Sequence, residues 1–231
     1  MGKRIIQQAR GHGSKSYRVR PKAFKIRLGY PRKIGESGKI LRLLHSPAHS
    51  APLAKVKYSE GIFYIPACVG MIEGEELKFH GREMKYGNIL QLKDIKIKTP
   101  IYCIESRPGD GGVFIKTAGT SAVINRIGDK GIIVLMPSKK EKIFNGDCRA
   151  VIGIIAGAGR KEKPIVKAGK MHYIKKARNK LWPRTSAIKV NAIDHPFGSG
   201  RGKVPKSKIA KRNAPPGARV GLIRPKRTGK R

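Results

Sequence analysis

Acidic residues are scarce: 14 Asp and Glu stand against 52 Lys and Arg among 231 residues, a formal net charge of +38. A free globular domain carries a net charge of roughly 2 to 8 in magnitude, and self-repulsion at this excess opposes compaction unless a polyanion neutralises it. The shortage of acids therefore points to nucleic acid as the partner. Long apolar runs are missing too. None approaches the ~20 residues of a membrane span, and the opening MGKRIIQQARGHG lacks the apolar stretch of a secretory signal, so a soluble, cytoplasmic protein with no membrane partner is expected. Cysteine is limited to Cys68, Cys103 and Cys148, an odd number with no C-x-x-C pair, which argues against a disulfide framework or a zinc ribbon. Small, reduced core residues are expected there. Apolar residues make up 39% of the chain, enough for one or two small cores but not for burial along its whole length.

The cations are not evenly spread. Residues 1–33 hold 11 basic and no acidic side chains, residues 34–159 hold 18 basic and 12 acidic, and residues 160–231 hold 23 basic and 2 acidic. The middle has the charge balance of a folded domain, whereas the ends have the composition of segments that order only on a polyanion. Gly198, Gly200 and Gly202, with Pro205, Pro215, Pro216 and Pro225, punctuate the last stretch too often for a regular core element.

Within the middle, short β-rich runs alternate with turn signals. A first series comprises Ile40 to His45, Ala54 to Tyr58, Ile62 to Ala67, Leu77 to His80 and Asn88 to Leu92. A second comprises Ile101 to Glu105, Val113 to Thr117, Ala122 to Ile127, Ile132 to Met136, Lys142 to Phe144 and Arg149 to Ile155. Strands at ~8–12-residue spacing predict barrels rather than a parallel βαβ sheet. Two small barrels that pack together are expected, because one of ~60 residues is marginal alone. A helix is expected at about Lys170 to Lys180, with a mostly basic face unsuited to a core.

Several motifs invite sharper readings. Gly198-Ser199-Gly200-Arg201-Gly202-Lys203 has the glycines of a phosphate loop but neither the preceding buried strand nor the Ser or Thr after the Lys. Asp194-His195 suggests a general base, yet neighbours in sequence seldom face each other, and bonding to RNA or local backbone is the better expectation. The remaining histidines lack paired metal spacing; His45 and His49 stand four apart, but Pro47 breaks a helix between them. No metal or other cofactor is expected. Arg4, Arg10, Arg18, Arg20, Lys22, Lys25 and Arg27 alternate with Tyr17, Phe24 and Tyr30, a pattern suited to phosphate contacts plus stacking on bases or sugars. Trp182 could stack on a base or anchor the C-terminal arm on the second barrel.

Pro108-Gly109-Asp110-Gly111-Gly112, Ala118-Gly119-Thr120, Cys148-Arg149-Ala150-Val151-Ile152-Gly153 and Lys167-Ala168-Gly169 are followed by Asn191-Ala192-Ile193-Asp194-His195-Pro196-Phe197-Gly198, Arg212-Asn213-Ala214-Pro215-Pro216-Gly217 and Lys226-Arg227-Thr228-Gly229. In this order they resemble the ribosomal protein L-two family of the large subunit, in its archaeal and eukaryotic form, archaeal more than eukaryotic. The resemblance implies a mainly β chain: a basic extension over 1–33, an OB-fold barrel over 34–94, an SH3-like barrel over 95–160, and a basic extension over 161–231 carrying a short helix and a histidine loop. It implies binding to large-subunit rRNA, contact with neighbouring ribosomal proteins, a bridge to the small subunit, indirect contact with tRNA and support of the peptidyl-transferase region. The chemistry there belongs to RNA, so His195 is expected to support and not to catalyse.

Expected on RNA, besides the N-terminal cations, are Arg149 of the Cys-Arg-Ala motif, then Lys167, Lys170, Lys175, Lys176, Arg178, Trp182 and Arg184. Asp194, His195 and Phe197 of the loop follow, with Arg201, Arg212, Arg219, Lys226 and Arg227 beyond it. Two departures stand out: Gly-Gly-Gly after His-Pro-Phe reads Gly198-Ser199-Gly200, and the approach to the loop reads Ser186-Ala187-Ile188-Lys189-Val190-Asn191. A DNA-compacting protein would be as basic but needs no second barrel, and a hydrolase using His195 would require activity without RNA.

Overall fold

A computed structural model describes residues 2–13, 17–129, 131–200 and 212–221. The chain divides into two units, one of residues 1–20 with 167–231, the other of residues 21–166.

The unit of residues 21–166 is built on antiparallel strands. β1 (Ser37–Leu44), β2 (Leu53–Tyr58), β3 (Gly61–Pro66) and β4 (Glu76–Lys78) form a four-stranded sheet in the order β3-β2-β1-β4. β5 (Ile89–Gln91), β6 (Pro100–Tyr102), β7 (Ala122–Gly128), β8 (Gly131–Leu135), β9 (Glu141–Phe144) and β10 (Arg149–Ile152) form a second sheet in the order β5-β10-β6-β7-β8-β9. The chain is thus mainly β, an OB-fold barrel followed by an SH3-like barrel. The two longest strands, β1 and β7, each carry a register shift, between Ile40 and Arg42 and between Ile124 and Arg126. Such bulges bend a strand and increase its twist, which curls a short sheet around its core.

The cores explain why the barrels hold together. Ile89 and Val151 enter a first cluster with Ile40, Val56, Phe63, Ile65, Leu77 and Phe79. Leu90, Ala150 and Ile152 enter a second with Ile101, Ile124, Val134 and Phe144. Because successive strand residues point to opposite faces, the β5–β10 pair contributes to both cores at once. This places Asn88 to Leu92 differently from its reading as the fifth strand of the first series: β5 pairs with β10 through Ile89–Val151, Leu90–Ala150 and Gln91–Arg149. Val113 to Thr117, by contrast, is not a strand. It makes one isolated bridge, Ile104 to Phe114, and Ile115 turns to φ 59°.

Residues 21–33 pack on this unit despite their charge. Ala23 and Tyr30 are buried, and the Tyr30 hydroxyl donates to the carbonyls of Cys103 and Arg149, both at 2.9 Å. Gly111 (φ +79°) admits this approach; a Cβ there would stand 2.6 Å from the Tyr30 carbonyl oxygen.

Among its described residues the other unit has little regular structure. α1 (Ile6–Gly11) is a short helix at whose start the Ile5 amide donates to Gln8 Oε1 at 3.0 Å. α2 (Ala168–Ala177) begins two residues earlier than expected and ends where Asn179 adopts φ 50°. Lys180 N–H reaches the Lys175 carbonyl and Asn179 N–H the Lys176 carbonyl, the two bonds that close a helix on a left-handed residue. No residue of α2 is buried, so, as expected, it is no core helix. Among the described residues no helix is long and apolar enough to cross a membrane.

Candidate nucleic-acid interface

In the unit of residues 1–20 and 167–231, a cavity of about 580 Å³ gathers six of the expected residues: Arg10, Arg184, Asp194, His195, Phe197 and Arg219. Its apolar lining comes from Ile5, Ile6, Leu181, Pro183, Val190 and Val220. Three guanidinium-bearing side chains around such a cleft make a positively charged, partly apolar surface, which suits a polyanion that also carries flat bases.

The histidine loop is closed by its own backbone. The amides of Asp194 and His195 donate to the Asn191 carbonyl, Gly198 N–H to His195, and Ser199 N–H to Val190. Gly198 must be glycine here, since a Cβ would lie 2.3 Å from the Asn191 carbonyl oxygen. Ser199 explains one departure from the family pattern. It adopts φ 54°, a conformation that favours glycine, but its hydroxyl accepts the Ala192 N–H at 3.0 Å. A local side-chain bond offsets the backbone strain, so the loop closes without the second glycine.

The Phe197 N–H donates to His195 Nδ1 at 3.0 Å, and the two rings meet edge to face with centroids 5.1 Å apart. An accepting Nδ1 assigns the ring proton to Nε2. Burial pushes the imidazole below its ordinary pKa, so the ring is neutral near pH 7 and presents Nε2–H as a donor. Among the described residues the Asp194 carboxylate makes no hydrogen bond to the ring. The arrangement can hold a loop and donate one hydrogen bond; the dyad geometry of a general base is not assembled.

The remaining expected cations fall into distinct settings. Lys167, Lys170 and Lys176 are exposed on or beside α2, while Lys175, Arg178 and Trp182 are half-buried. Arg4 meets His12, Arg18 donates to the Gly13 carbonyl at 2.6 Å, and Arg219 donates to the Ala214 carbonyl at 2.7 Å. Arg20, Lys25, Arg27 and Arg212 are exposed. Lys22 lies in a short 3-10 turn, Pro21–Phe24. Arg201, Lys226 and Arg227 lie outside the described residues, as does the rest of the glycine run after Gly200.

Arg149, expected on RNA, is instead buried. Its Nη2 stands 2.8 Å from Glu105 Oε1 and donates at 3.0 Å to the Pro31 carbonyl, while Nε donates to Glu105 at 3.2 Å. Glu105 is itself wholly buried and also accepts the backbone N–H groups of Gly109, Gly111 and Arg149. The Arg149 guanidinium lies 4.9 Å from the Tyr30 ring centroid. Glu105 is the residue that sequence reasoning missed; its signal was an acid closing an apolar strand run, Ile101 to Glu105.

All three thiols are buried. Burial pushes Cys103 up to about 12 and Cys68 up to about 11. Among the described residues no group of three His, Cys, Asp or Glu could hold a metal ion.

Comparison with known proteins gives a consistent result. Residues 85–217, more than half of the chain, match the family described as Ribosomal Proteins L2, C-terminal domain. The chain is 44% identical over 237 residues to the large ribosomal subunit protein uL2 of Archaeoglobus fulgidus, and 44% identical over 237 residues to that of Methanococcoides burtonii, each match covering 100% of both chains. It is 44% identical over 238 residues to uL2 of Hyperthermus butylicus, covering 100% of this chain and 99% of that one.

Proposed function

The chain belongs to the family of large ribosomal subunit protein uL2, in its archaeal form, and from that membership we infer that it is a structural, rRNA-binding constituent of the large subunit of the cytoplasmic ribosome. The observation that carries this reading is the end-to-end match at 44% identity, which takes in the basic ends as well as the β unit.

The finer assignment rests on charge and geometry. The β unit, read as an OB-fold barrel over 34–94 and an SH3-like barrel over 95–160, supplies a rigid body, and the extensions over 1–33 and 161–231 carry most of the excess cations. Arg4, Arg10, Arg18, Arg20, Lys22, Lys25 and Arg27 on one side, and Lys167, Lys170, Lys175, Lys176, Arg178, Arg184, Arg201, Arg212, Arg219, Lys226 and Arg227 on the other, neutralise rRNA phosphates. Trp182 and Phe197 offer rings. Arg149 acts indirectly, by fixing residues 21–33 on the β unit.

The loop of Asp194 and His195 supports the peptidyl-transferase region, and through it tRNA binding, and the protein contributes to joining the small subunit and touches neighbouring ribosomal proteins. Supporting a non-enzymatic role, His195 is neutral, with Nδ1 engaged by Phe197, and among the described residues no carboxylate orients its ring. The test is ultraviolet crosslinking of the intact chain in cell extract followed by sequencing of the attached RNA. Reads concentrated in large-subunit rRNA are expected. Reads dominated by messenger RNA, or equal affinity for random duplex DNA, would refute the assignment.

A further inference from the structure

Resting on the rRNA-binding reading, a second feature of the C-terminal unit assigns a residue that no motif singled out. Tyr173 is 71% exposed in the middle of α2. Its recorded ring contact is the edge of His172, with centroids 5.5 Å apart. Exposure of a whole phenol ring on a helix is unfavourable by its apolar area, so its surroundings on that face decide what would cover it.

The periodicity of α2 defines the face. Met171, Lys175 and Arg178 stand at i, i+4 and i+7 and are half-buried, which turns that side toward the helix's own unit. At 100° per residue, Tyr173 projects from the opposite side. Lys170 and Lys176, three residues before and after it, flank it on neighbouring rows and are exposed. No acidic residue occurs between Glu162 and Asp194. Around Tyr173 the exposed face of α2 is therefore one aromatic ring between two ammonium groups, with Ile174 and His172 exposed farther round the helix, and among the described residues no carboxylate pairs with either lysine. A protein partner of similarly basic character would be repelled, whereas a polynucleotide offers a flat base for the ring and a phosphate on either side for each lysine.

We propose that Tyr173 stacks on an unpaired rRNA base while Lys170 and Lys176 hold the flanking phosphates, making α2 a recognition element for a single-stranded nucleotide. The two kinds of contact differ in salt dependence. Phosphate contacts release counterions, each adding about 0.7–0.9 to the log–log slope of affinity against salt. Stacking leaves that slope unchanged and is removed by alanine with a loss of roughly 5- to 150-fold in affinity.

The experiment measures binding of the full chain to protein-free large-subunit rRNA across a range of KCl concentrations. Compared are wild type, Tyr173→Ala, Tyr173→Phe and Lys176→Ala. Alanine is the best helix former and Tyr173 is not buried, so the first variant leaves α2 intact. Expected are a roughly 5- to 150-fold loss for Tyr173→Ala at unchanged slope, near wild-type binding for Tyr173→Phe, and a slope lower by about 0.7–0.9 for Lys176→Ala. Tyr173→Ala within twofold of wild type at every salt concentration would overturn the proposal. So would a loss matched by Tyr173→Phe, because a hydroxyl bond would then be responsible. If Tyr173→Ala and Lys176→Ala are both silent while the wild type keeps a steep slope, the proposal for α2 fails and rRNA binding by the chain stands. A shallow wild-type slope would instead remove the rRNA reading itself.

Discussion

Replacing Arg149 by methionine separates a structural role from a nucleic-acid contact. Arg149→Met removes three hydrogen bonds, two to the Glu105 carboxylate and one to the Pro31 carbonyl. It leaves Glu105, wholly buried, with its three backbone donors and no countercharge. Hydrogen bonds to charged groups contribute about 1.5–3 kcal/mol each, and breaking a buried ion pair by removing one partner costs about 3–5 kcal/mol. With a urea dependence of about 1–3 kcal/mol per molar for a unit of this size, the midpoint for unfolding the β unit should fall by at least about 1 M. Far-ultraviolet circular dichroism of the full chain at constant ionic strength reads it. The double variant Glu105→Gln with Arg149→Met should regain part of the loss, because Gln removes the buried charge while its one oxygen still accepts from the Gly109 and Gly111 amides; its NH2 then faces the residue-149 amide, which loses its acceptor. A midpoint shift below ~0.3 M, with a reduced salt slope of RNA binding, would refute this account and return Arg149 to the RNA surface.

The remaining expectations concern the thiols, the histidine loop and α2. Because burial raises Cys103 to about 12 and Cys68 to about 11, the folded state favours the neutral thiols; the stabilisation is complete below pH 9 and is lost as pH rises toward 11–12. A thiol reagent at pH 8 should label none of the three cysteines until urea is added, and Cys103→Ala should flatten the decline of the urea midpoint above pH 9; rapid native labelling would contradict both. Gly198→Ala should open the histidine loop, whereas Ser199→Gly should be nearly neutral and Ser199→Ala should lose about 0.5–1.5 kcal/mol of loop stability, read by amide exchange at Ala192. His195→Gln should leave single-turnover peptide transfer by assembled ribosomes largely intact and His195→Ala should chiefly weaken assembly; a ~10²-fold loss of transfer with normal composition would revive a catalytic role. Amides of α2 should exchange within seconds in the free chain and slow on rRNA, while those of Ile124 and Val134 stay protected in both, and slow exchange of α2 without RNA would contradict its lack of buried contacts.

Strand alternation made most of the β unit legible. Ala54, Val56, Phe63 and Ile65 are inward positions that any amphipathic strand would show. Val151 and Ile152 were legible as strand but not as shared wall: a continuous apolar run is compatible with burial on both faces, but nothing local says that the two faces belong to different cores. Residues 21–33 were misleading for another reason. Their charge dominates their composition, and Ala23 and Tyr30 are too few to make a period, although Tyr30 is the side chain that docks the segment. The sockets for it, Cys103 and Arg149, are distant in sequence. The charge balance likewise hid Glu105, since an acid is counted the same way whether it faces water or a guanidinium. In the histidine loop the tight approach at Gly198 was visible as a motif, but the Ser199 hydroxyl bond depends on a φ value that residue identity alone does not specify.

The Tyr30 hydroxyl has implications for the order in which the protein is made. It bonds to carbonyls 73 and 119 residues downstream. At a synthesis rate of roughly 5–20 residues per second, about 6–24 s separate the appearance of Tyr30 from that of Arg149. During that interval the N-terminal segment has its charge but an incomplete socket, and a contact of such long sequence separation forms late for entropic reasons as well. The opening third of the nascent chain can assemble the four-stranded sheet and offer Tyr64 to Gly29, yet the Tyr30 bond to Arg149 waits for β10. A chain halted before residue 149 would leave Tyr30 without that bond and this basic segment available to any polyanion in reach.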